Sequence, residues 1–554
     1  MTADTLLFNV RIHTMDPSRP TAEALLIREG RILALGHKAD LAALSPDAQT
    51  IDAGGRLCLP GFQDAHIHLL SGGTDLVETA QLYDCLTLDD IRSVMAAHAK
   101  AMTGEMIWGA GWQCGFFGDE NLTAAVLDQV IPDRPCLIYD GNFHNACLNS
   151  AAIVRIGLGD DTADPPNGHV VRDAKGRATG MLHEDAITWA TARLPRTSDA
   201  VLAEGLLAGQ AHANRHGITG IIDPHIQSHH VRTYAAAEAQ GLLTLRVAGA
   251  MAVTSADTGE SVTARLTALR ALHNTEDFHL NAAKFFMDGG LENRTAAMLA
   301  PYADAKGGNA PLMYSEVQIE SLFTALDALR FQIHVHCIGD HATRATLSGF
   351  AKARAANGQW PGLHQIAHCE VVHPDDLPRF AELGVMANLQ PLWAAWDPVI
   401  PDDTMAMVGP DRMTWVYPNR ALLNAGAPWC LNSDWPVTTL NPFEIIGTAI
   451  TREPPRARGK ARPFHPEHRL TIPEAVQGYT THAAAACWRD HHSGQLRPGF
   501  SADLILLDRD IFSCDPYAVA ETQVDLTLFK GRAVHRGLAF QGVPPKFVHA
   551  KPAR

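Results

Sequence analysis

Two histidines separated by one residue, His66 and His68, are the clearest chemical signal in the sequence. They end an apolar stretch, 58–66 and just beyond, that is typical of a β-strand and that also contains Asp64. Residues two apart on a strand face the same side, so both imidazoles are expected to point together, with Asp64 below them. Two imidazoles at a strand end can share a metal ion. A pair of hydrogen-bonded core histidines fits the same motif equally well.

Further groups of this chemical kind recur in later apolar segments. Lys284 lies inside a strand-like run with apolar flanks, and because buried lysines are rare without a partner, the pattern favours a functional lysine. Other strand-like runs contain His334 and His336, end near His368, and end at Asp434. His334 and His336 face the same way, so their spacing does not decide which of them would bind an ion.

Strand-like and helix-like segments alternate around these residues, with helices predicted at 317–329 and 375–383. The alternation is typical of a parallel sheet with crossover helices, and eight strands are the number in a closed (β/α)8 TIM-like barrel. The predicted strands span 58–66, 218–223, 244–250, 281–288, 331–337, 365–370, 385–390 and 429–434. The barrel therefore places the candidate side chains at the carboxyl ends of its strands, where barrel active sites lie.

The spacing of the candidates fits this barrel. One strand and its helix need at least about 30 residues, so Lys284, His336 and His368 fall on consecutive strands and Asp434 falls two strands later. These are strands four, five, six and eight. The distance along the chain from His68 to Lys284 is longer than three such units require.

Three parts of the chain depart from the barrel pattern. Residues 86–207, with Gly- and Trp-rich turns and a hairpin at 169–180, are predicted to be an insertion over the barrel mouth. Residues 1–58 and 491–554 carry short alternating stretches, and neither end has enough strands to cover its own faces. We expect both ends to form one small β-sandwich beside a barrel domain at 59–490.

The order of His-x-His, strand lysine, two histidines and an aspartate resembles the binuclear metal hydrolases of the amidohydrolase superfamily. Residues 284–296, 336–340 and 433–436 are similar to the family 3 branch that contains N-substituted formamide deformylases, and 494–504 resembles its closing segment. The resemblance spans almost the whole chain. It implies a metal-dependent hydrolase that cleaves an amide-type C–N bond, such as that of an N-substituted formamide, by attack of a metal-bridging hydroxide. The alternatives are another amide, a cyclic amide, a carbamate or an ester as substrate, or a non-catalytic scaffold.

The resemblance also implies which side chains hold the metal. The implied ligands are His66, His68, Lys284, His336, His368 and Asp434. His66, His68 and Asp434 would hold the more buried of two ions, and Lys284, carboxylated by carbon dioxide, would bridge it to a second ion on the other two histidines. Conversion of an ammonium into a carbamate replaces a repelled cation by an anionic bridge. Mixed nitrogen and oxygen ligands favour zinc, with manganese, iron and cobalt as alternatives.

Three polar residues have supporting or catalytic roles in this scheme. Asp434 would also be catalytic, because it would take a proton from the attacking water and return it to the departing amine. His334 is a candidate to support a ligand, and a packed core histidine is the alternative. Asp64 is a candidate to orient a ligating imidazole, with a turn-stabilising aspartate as the alternative.

Aromatic residues crowd the expected mouth of the barrel, where they favour a small substrate that is neutral and partly hydrophobic. These residues are Trp108, Trp112, Phe116, Phe117, Phe143, Trp393, Trp396 and Trp435. The alternative is that they pack the insertion onto the barrel. His144 is a polar candidate for substrate binding. Arg294 would either meet a substrate carboxylate or form a structural ion pair.

Composition excludes several other classes of function. The chain has 554 residues, 46% of them hydrophobic, which is typical of a globular protein, and its net charge of −15 argues against nucleic-acid or anionic-membrane partners. The sequence has no apolar run of about 18 to 20 residues and no signal-peptide pattern at its start, so we expect a cytoplasmic protein. Its ten cysteines include no Cys-x-x-Cys pair. A homodimer, the commonest soluble assembly, is compatible with the sequence.

Overall fold

Three β-sheets and eighteen α-helices make up the computed structural model, which describes residues 4–113, 121–141, 143–292, 294–395 and 400–541. The strands are β1 (Thr5–His13), β2 (Thr21–Arg28), β3 (Arg31–Gly36), β4 (Gln49–Pro60), β5 (Phe62–Asp64), β6 (Thr79–Gln81), β7 (Ile107–Trp112), β8 (Cys136–Asp140), β9 (Asn145–Leu148), β10 (Gly168–Arg172), β11 (Ala178–Glu184), β12 (Ile218–Ile226), β13 (Arg246–Ala252), β14 (Phe278–Phe286), β15 (Gln332–Cys337), β16 (Gln365–His368), β17 (Met386–Leu389), β18 (Trp429–Leu431), β19 (Leu504–Leu507), β20 (Val524–Phe529) and β21 (Arg532–Arg536).

The helices surround the barrel or belong to the other two sheets. They are α1 (Lys38–Leu44), α2 (Leu69–Glu78), α3 (Leu88–Ala101), α4 (Ala124–Asp128), α5 (Ser150–Ile156), α6 (Asp185–Thr191), α7 (Asp199–Arg215), α8 (Ser228–Ala239), α9 (Gly259–Leu272), α10 (Glu316–Ala328), α11 (Asp340–Asn357), α12 (Leu377–Leu383), α13 (Ile400–Val408), α14 (Pro410–Met413), α15 (Asn419–Asn424), α16 (Pro442–Thr451), α17 (Ile472–Tyr479) and α18 (Thr481–Ala486). Thr258, Ser315 and Thr471 cap α9, α10 and α17 by accepting a backbone N–H of the first turn, which explains where these helices begin.

The predicted TIM-like barrel is confirmed. Its sheet has the order β5, β12, β13, β14, β15, β16, β17, β18, and every neighbouring pair is parallel. We call these barrel strands one to eight. Between strands one and eight, the backbone N–H of Ala65 donates to the carbonyl oxygen of Leu431 at 3.4 Å, which brings the two edges together. Most apolar residues of the largest core lie between the strands and the surrounding helices.

Barrel strand one is shorter than predicted. The sequence predicts one strand over 58–66, but β4 belongs to a different sheet and ends at Pro60, and only β5 joins the barrel. The chain passes between the two sheets at Gly61, where a Cβ atom would lie 2.3 Å from Oγ1 of Thr219. Because only glycine allows this approach, the chain can cross there at close range to strand two.

Several predicted barrel strands extend past the observed ends. Strand six ends at His368 and strand eight at Leu431, whereas the sequence predicts strands to 370 and 434. Strand one likewise ends at Asp64. His66, His68 and Asp434 therefore lie on the loops that follow the strands, and strand alternation alone does not set their directions.

The sequence predicts that the two ends of the chain pair into one small β-sandwich, and in the structure their strands form a single sheet. This seven-stranded sheet has the order β21, β20, β19, β4, β1, β2, β3, and thus joins the strands within residues 5–60 to the last three strands. One apolar core lies among Leu7, Leu25 and Leu504, and a second lies under α1 around Leu26 and Leu41. Both faces of the sheet are therefore covered.

The segment between barrel strands one and two contains a sheet of its own. This six-stranded sheet has the order β10, β11, β9, β8, β7, β6, and the predicted hairpin is its β10–β11 pair. His144 directly precedes β9, and Glu184 is the last residue of β11. Glycines then allow α2 and α7 to pack closely, since a Cβ at Gly73 would lie 2.1 Å from the carbonyl oxygen of Gly205.

None of the helices within the described ranges is both long and apolar enough to cross a bilayer. The nine cysteines in those ranges are free thiols, and eight of them are buried.

Candidate metal centre

Three of the predicted ligands meet at the carboxyl end of the barrel. Nε2 of His66 and Nε2 of His68 each lie 3.3 Å from Oδ1 of Asp434. One donor atom from each of the three side chains falls within 4.8 Å of the others, and His66 and Asp434 are buried. Asp434 Oδ1 has no hydrogen-bond partner among the described residues. The three groups are thus placed to share a cation.

The other three predicted ligands lie on barrel strands four, five and six. The ring centroid of His368 is 4.4 Å from that of His336 and 5.2 Å from that of His66, so the two groups of ligands are contiguous. Lys284 is 1% exposed, and its Nζ has no hydrogen-bond partner in the described chain. Both ring nitrogens of His368 also lack such a partner within the described ranges. Buried polar atoms without partners are rare in folded proteins, so these atoms indicate a ligand.

Burial disfavours the positively charged forms of these groups. It lowers the pKa of Lys284 to about 7, and burial together with neighbouring positive charge lowers the pKa values of His66, His336 and His368 well below the usual range. A neutral imidazole has a free lone pair for a metal ion, and a neutral amine has one for carbon dioxide. The site therefore presents lone pairs in place of positive charges.

The metal-free protein is expected to become more stable as the pH rises from 7 to about 10. The pKa of Lys284 is about 7 in the folded chain and returns towards 10.5 on unfolding, so the unfolded chain binds more protons between these values. The free energy of unfolding then rises by up to about 1.4 kcal/mol per pH unit. Below pH 7 both states bind the proton, and this contribution to the slope disappears.

Urea unfolding of the EDTA-treated protein at several pH values would measure the slope. The control is Lys284→Met, which keeps the apolar stem and removes the titrating group. Parallel pH profiles for the two proteins would contradict the low pKa.

Two ligands sit on strained backbone. His368 has φ 79° and Asp434 has φ 53°, in the left-handed region that non-glycine residues rarely adopt. Such conformations cost about 1–3 kcal/mol each and persist where the surrounding structure imposes them. On strand six the side chain of Ile366 packs on the helix layer, so regular alternation would turn His368 the same way. The left-handed conformation directs its imidazole towards the ligand group instead.

His334 and Asp64 support the ligands in different ways. Nε2 of His334 lies 2.8 Å from Nδ1 of His66, which orients that imidazole. The hydrogen bonds given for Asp64 within the described residues come from backbone N–H groups. Its carboxylate accepts the backbone N–H of His66 at 3.1 Å and that of Ser433 at 3.1 and 3.2 Å. Asp64 thus ties the loops after strands one and eight together.

Asp288 has the same role across the barrel, and the sequence analysis missed it. Its buried carboxylate accepts the backbone N–H groups of Ala297, Ile338 and Gly339 at 2.9, 3.0 and 2.8 Å. Burial raises its pKa to about 7. Asp288 joins the loops that follow strands four and five. These two strands carry Lys284 and His336. The available signal was an acidic residue directly after the lysine strand.

Two candidates for substrate contact lie beside the ligands. The ring of Trp393 stacks on that of His368, with centroids 5.4 Å apart and planes 5° from parallel. The ring centroid of His144 is 5.7 Å from that of His336. Nδ1 of His144 lies 2.8 Å from Oε2 of Glu184, and this carboxylate contributes to raising the pKa of His144 to about 9 against the opposing effect of burial. The insertion therefore brings a cationic imidazole to the rim.

Three other candidates do not line the site. Trp112 is fully buried within a core of the insertion, so it is not available to a substrate. The ring of Trp435 is buried, lies against Gly72 and is 5.5 Å from the ring of His212. Arg294 forms an ion pair with Asp304 at 2.6 Å, which is the structural alternative stated above.

The remaining aromatic candidates divide into two groups. Trp108 and Phe143 pack against Tyr139 within the insertion, with ring centroids 6.5 and 5.4 Å from it. Phe116, Phe117 and Trp396 lie outside the described residues.

Comparison with known proteins places this chain among hydrolases of one family. The profile of the amidohydrolase family matches residues 49–535. The chain is 29% identical to Protein LONG AFTER FAR-RED 3 of Arabidopsis thaliana, over 93% of this chain and 89% of that protein. It is 27% identical to N-substituted formamide deformylase of Arthrobacter pascens, over 95% of this chain and 97% of that protein. A metal-dependent hydrolase from Pyrococcus horikoshii has a similar fold, with a TM-score of 0.75 and 23% identity over 93% of this chain and 99% of that one.

Proposed function

The chain belongs to the amidohydrolase family, and from this premise we propose that it is a metal-dependent hydrolase of an amide-type C–N bond. The observation that carries the proposal is the convergence of unpartnered donor atoms at the carboxyl end of the barrel. We further propose that these side chains hold two divalent cations, with zinc as the preferred metal. The proposed ligands are His66, His68, Lys284, His336, His368 and Asp434.

The donor set fits such a centre. Neutral imidazoles and a carboxylate are the ligands that zinc prefers in catalytic sites. Four imidazoles and one carboxylate leave two divalent cations with an excess of positive charge, and an ammonium at Lys284 would add to it. A carbamate removes this repulsion. In forming it, the Nζ lone pair of the neutral amine attacks the carbon of carbon dioxide, one C–O π bond opens to leave its electron pair on oxygen, the new N–C bond forms, and a proton leaves Nζ to water.

The residues of the chain then divide the work of hydrolysis. Two bound divalent cations would polarise the substrate carbonyl and lower the pKa of a water molecule to about 7. Asp434 is the proposed base, because Oδ1 lies among the ligands without a hydrogen-bond partner in the described chain. It accepts the proton of the attacking water and returns it to the departing amine nitrogen. His334 orients the imidazole of His66. Asp64 accepts a backbone N–H from the loop that carries Asp434 and so holds that loop beside His66.

We propose N-substituted formamides as the first substrate class to test. The support is the 27% identity to N-substituted formamide deformylase, which covers nearly the full length of both chains. The ring of Trp393 beside His368 offers an apolar surface for the substituent on nitrogen.

Zinc reconstitution tests the proposed function directly. Protein stripped of metal is expected to bind about two zinc ions per chain when bicarbonate is present and fewer in carbon-dioxide-free buffer, because the bridging carbamate needs carbon dioxide. The loaded protein is then assayed with N-benzylformamide, an N-acetyl amino acid and hydantoin. Formate release from the first compound is the expected result. A fully loaded protein that hydrolyses none of the three would contradict the proposal.

A further inference from the structure

Barrel strand seven supplies no proposed metal ligand, yet a buried polar residue, Gln390, directly follows its last residue. This side chain is 2% exposed, and neither Oε1 nor Nε2 has a hydrogen-bond partner among the described residues. Leaving a buried polar atom unpaired costs about 1–3 kcal/mol. A glutamine that only filled space would use its amide, as other buried amides of this chain do.

The backbone places Gln390 at the level of the proposed ligands. On strand seven, Asn388 faces the barrel interior, because its Nδ2 donates to the carbonyl of Ala65 and to Oε1 of Gln365. Leu389 packs in the outer core and is paired in register with His368. Gln390 follows Leu389 directly and begins the turn after the strand, with φ −110° and ψ 82°. Because Gln390 is buried and its neighbour Leu389 packs in the outer core, we place the Gln390 side chain on the inner side, one layer above Asn388.

The residues that follow Gln390 lie next to the elements that carry His368 and Asp434. The next turn carries Trp393, whose backbone N–H donates to the carbonyl of Gln390 at 3.2 Å and whose ring stacks on His368. Nε1 of Trp393 also donates to Oγ1 of Thr438, in the loop that follows strand eight and contains Asp434. The turn that begins at Gln390 thus contacts both strand six and the loop of the proposed base through Trp393.

A carboxamide offers one acceptor and two donors at fixed geometry, and it carries no charge. Imidazoles and carboxylates are better ligands for a divalent cation, so the metal has no need of it. The matching partner is a group with an N–H donor beside a carbonyl acceptor. A secondary amide has both, whereas an ester and an N,N-disubstituted amide lack the N–H.

We infer that Gln390 hydrogen-bonds the amide group of the substrate and selects secondary amides over esters and N,N-disubstituted amides. The inference rests on the proposed function, since it names the substrate class of that site. Oε1 accepts the N–H of the scissile amide, and Nε2 is available to a second substrate oxygen. An ester leaves Oε1 buried and unpaired, and sites built to pair a polar group discriminate strongly against analogues that lack it.

Binding of phenylurea to the zinc-loaded protein tests the inference without relying on turnover. Phenylurea is neutral and combines N–H donors with one carbonyl acceptor. Gln390→Met keeps the length of the side chain and removes the amide, and we expect it to weaken phenylurea binding in calorimetry by about tenfold or more. Unchanged affinity in this variant, or no binding by the natural protein, would overturn the inference.

Gln210 provides the matched control. It is also 2% exposed, but its Oε1 accepts the backbone N–H of Thr244 at 2.7 Å and its Nε2 donates to the carbonyl of Leu242 at 3.4 Å. We expect Gln210→Met to lower the urea midpoint and leave phenylurea binding unchanged. Gln390→Met should leave the midpoint unchanged or raise it. A lower midpoint in Gln390→Met with unchanged binding would assign Gln390 a structural role and refute the inference.

Kinetics separate failure of the inference from failure of the proposed function. With N-benzylformamide and N-benzyl-N-methylformamide as substrates, Gln390→Met should reduce the ratio of their kcat/KM values by about tenfold. An equal loss on both substrates contradicts selection by Gln390 and leaves the hydrolase proposal intact. If the natural protein hydrolyses neither, the proposed function fails, and phenylurea binding still decides whether Gln390 recognises an amide.

Discussion

Replacing Asp434 with asparagine is expected to reduce kcat by about 10³-fold and to change metal content far less. General acid–base catalysis is worth about 10²–10⁴-fold, and in this scheme one carboxylate serves both proton transfers. Asparagine keeps an oxygen within reach of the cation that His66 and His68 help to hold, but it cannot accept a proton. Metal analysis and steady-state kinetics on Asp434→Asn would measure the two effects separately.

Asp327→Asn is the control for this experiment. Asp327 is as buried as Asp434, but its carboxylate accepts hydrogen bonds from Asn357, Trp360 and His364 among the outer elements of the barrel. This variant should lose stability and keep kcat. Near-normal turnover in Asp434→Asn with full metal content would mean that another group moves the proton.

Lys284→Met is expected to lower kcat/KM by about 10³-fold or more, since removing the bridge removes several kcal/mol of metal-assisted stabilisation of the transition state. Zinc content should fall from about two ions per chain to about one or less, because the carbamate can no longer form. Bicarbonate should then have no effect on reconstitution. Metal analysis with and without bicarbonate checks both statements.

The same substitution should stabilise the metal-free protein at pH 6. There the folded chain must hold Lys284 protonated in a fully buried place that lowers its pKa to about 7, and methionine avoids this cost. A gain of several kcal/mol in the free energy of unfolding corresponds to that shift. Loss of activity together with loss of stability would point to a damaged fold and would contradict the assigned role.

Chain spacing was sufficient to place Lys284, His336 and His368 on consecutive barrel strands. Each strand–helix unit has a nearly constant length, and the carboxyl ends of parallel strands meet at one rim. The directions of the side chains were less predictable. Strand alternation explains Lys284, but His368 and Asp434 depend on left-handed backbone that no local pattern announced. Such conformations are imposed by tertiary contacts.

The aromatic candidates show a different limit. The sequence predicts Trp112 and Trp435 at the mouth of the barrel. In the structure both rings are buried in packing contacts, because burying a large aromatic ring is favourable wherever a core is near. Asp64, Asp288 and Gln390 could not be ranked from the sequence either. Their roles depend on which backbone N–H groups lie opposite them, or on whether any lie there, and that is a property of the folded loops alone.

The insertion and the residues that hold the proposed metal ions occupy different segments of the chain. All six proposed ligands come from the barrel, and the insertion leaves it after α2 and returns before β12. At the rim the insertion places His144, paired with Glu184, with its ring centroid 5.7 Å from that of His336. The segment that borders the site is thus separate, along the chain, from the barrel strands and loops that carry the proposed ligands.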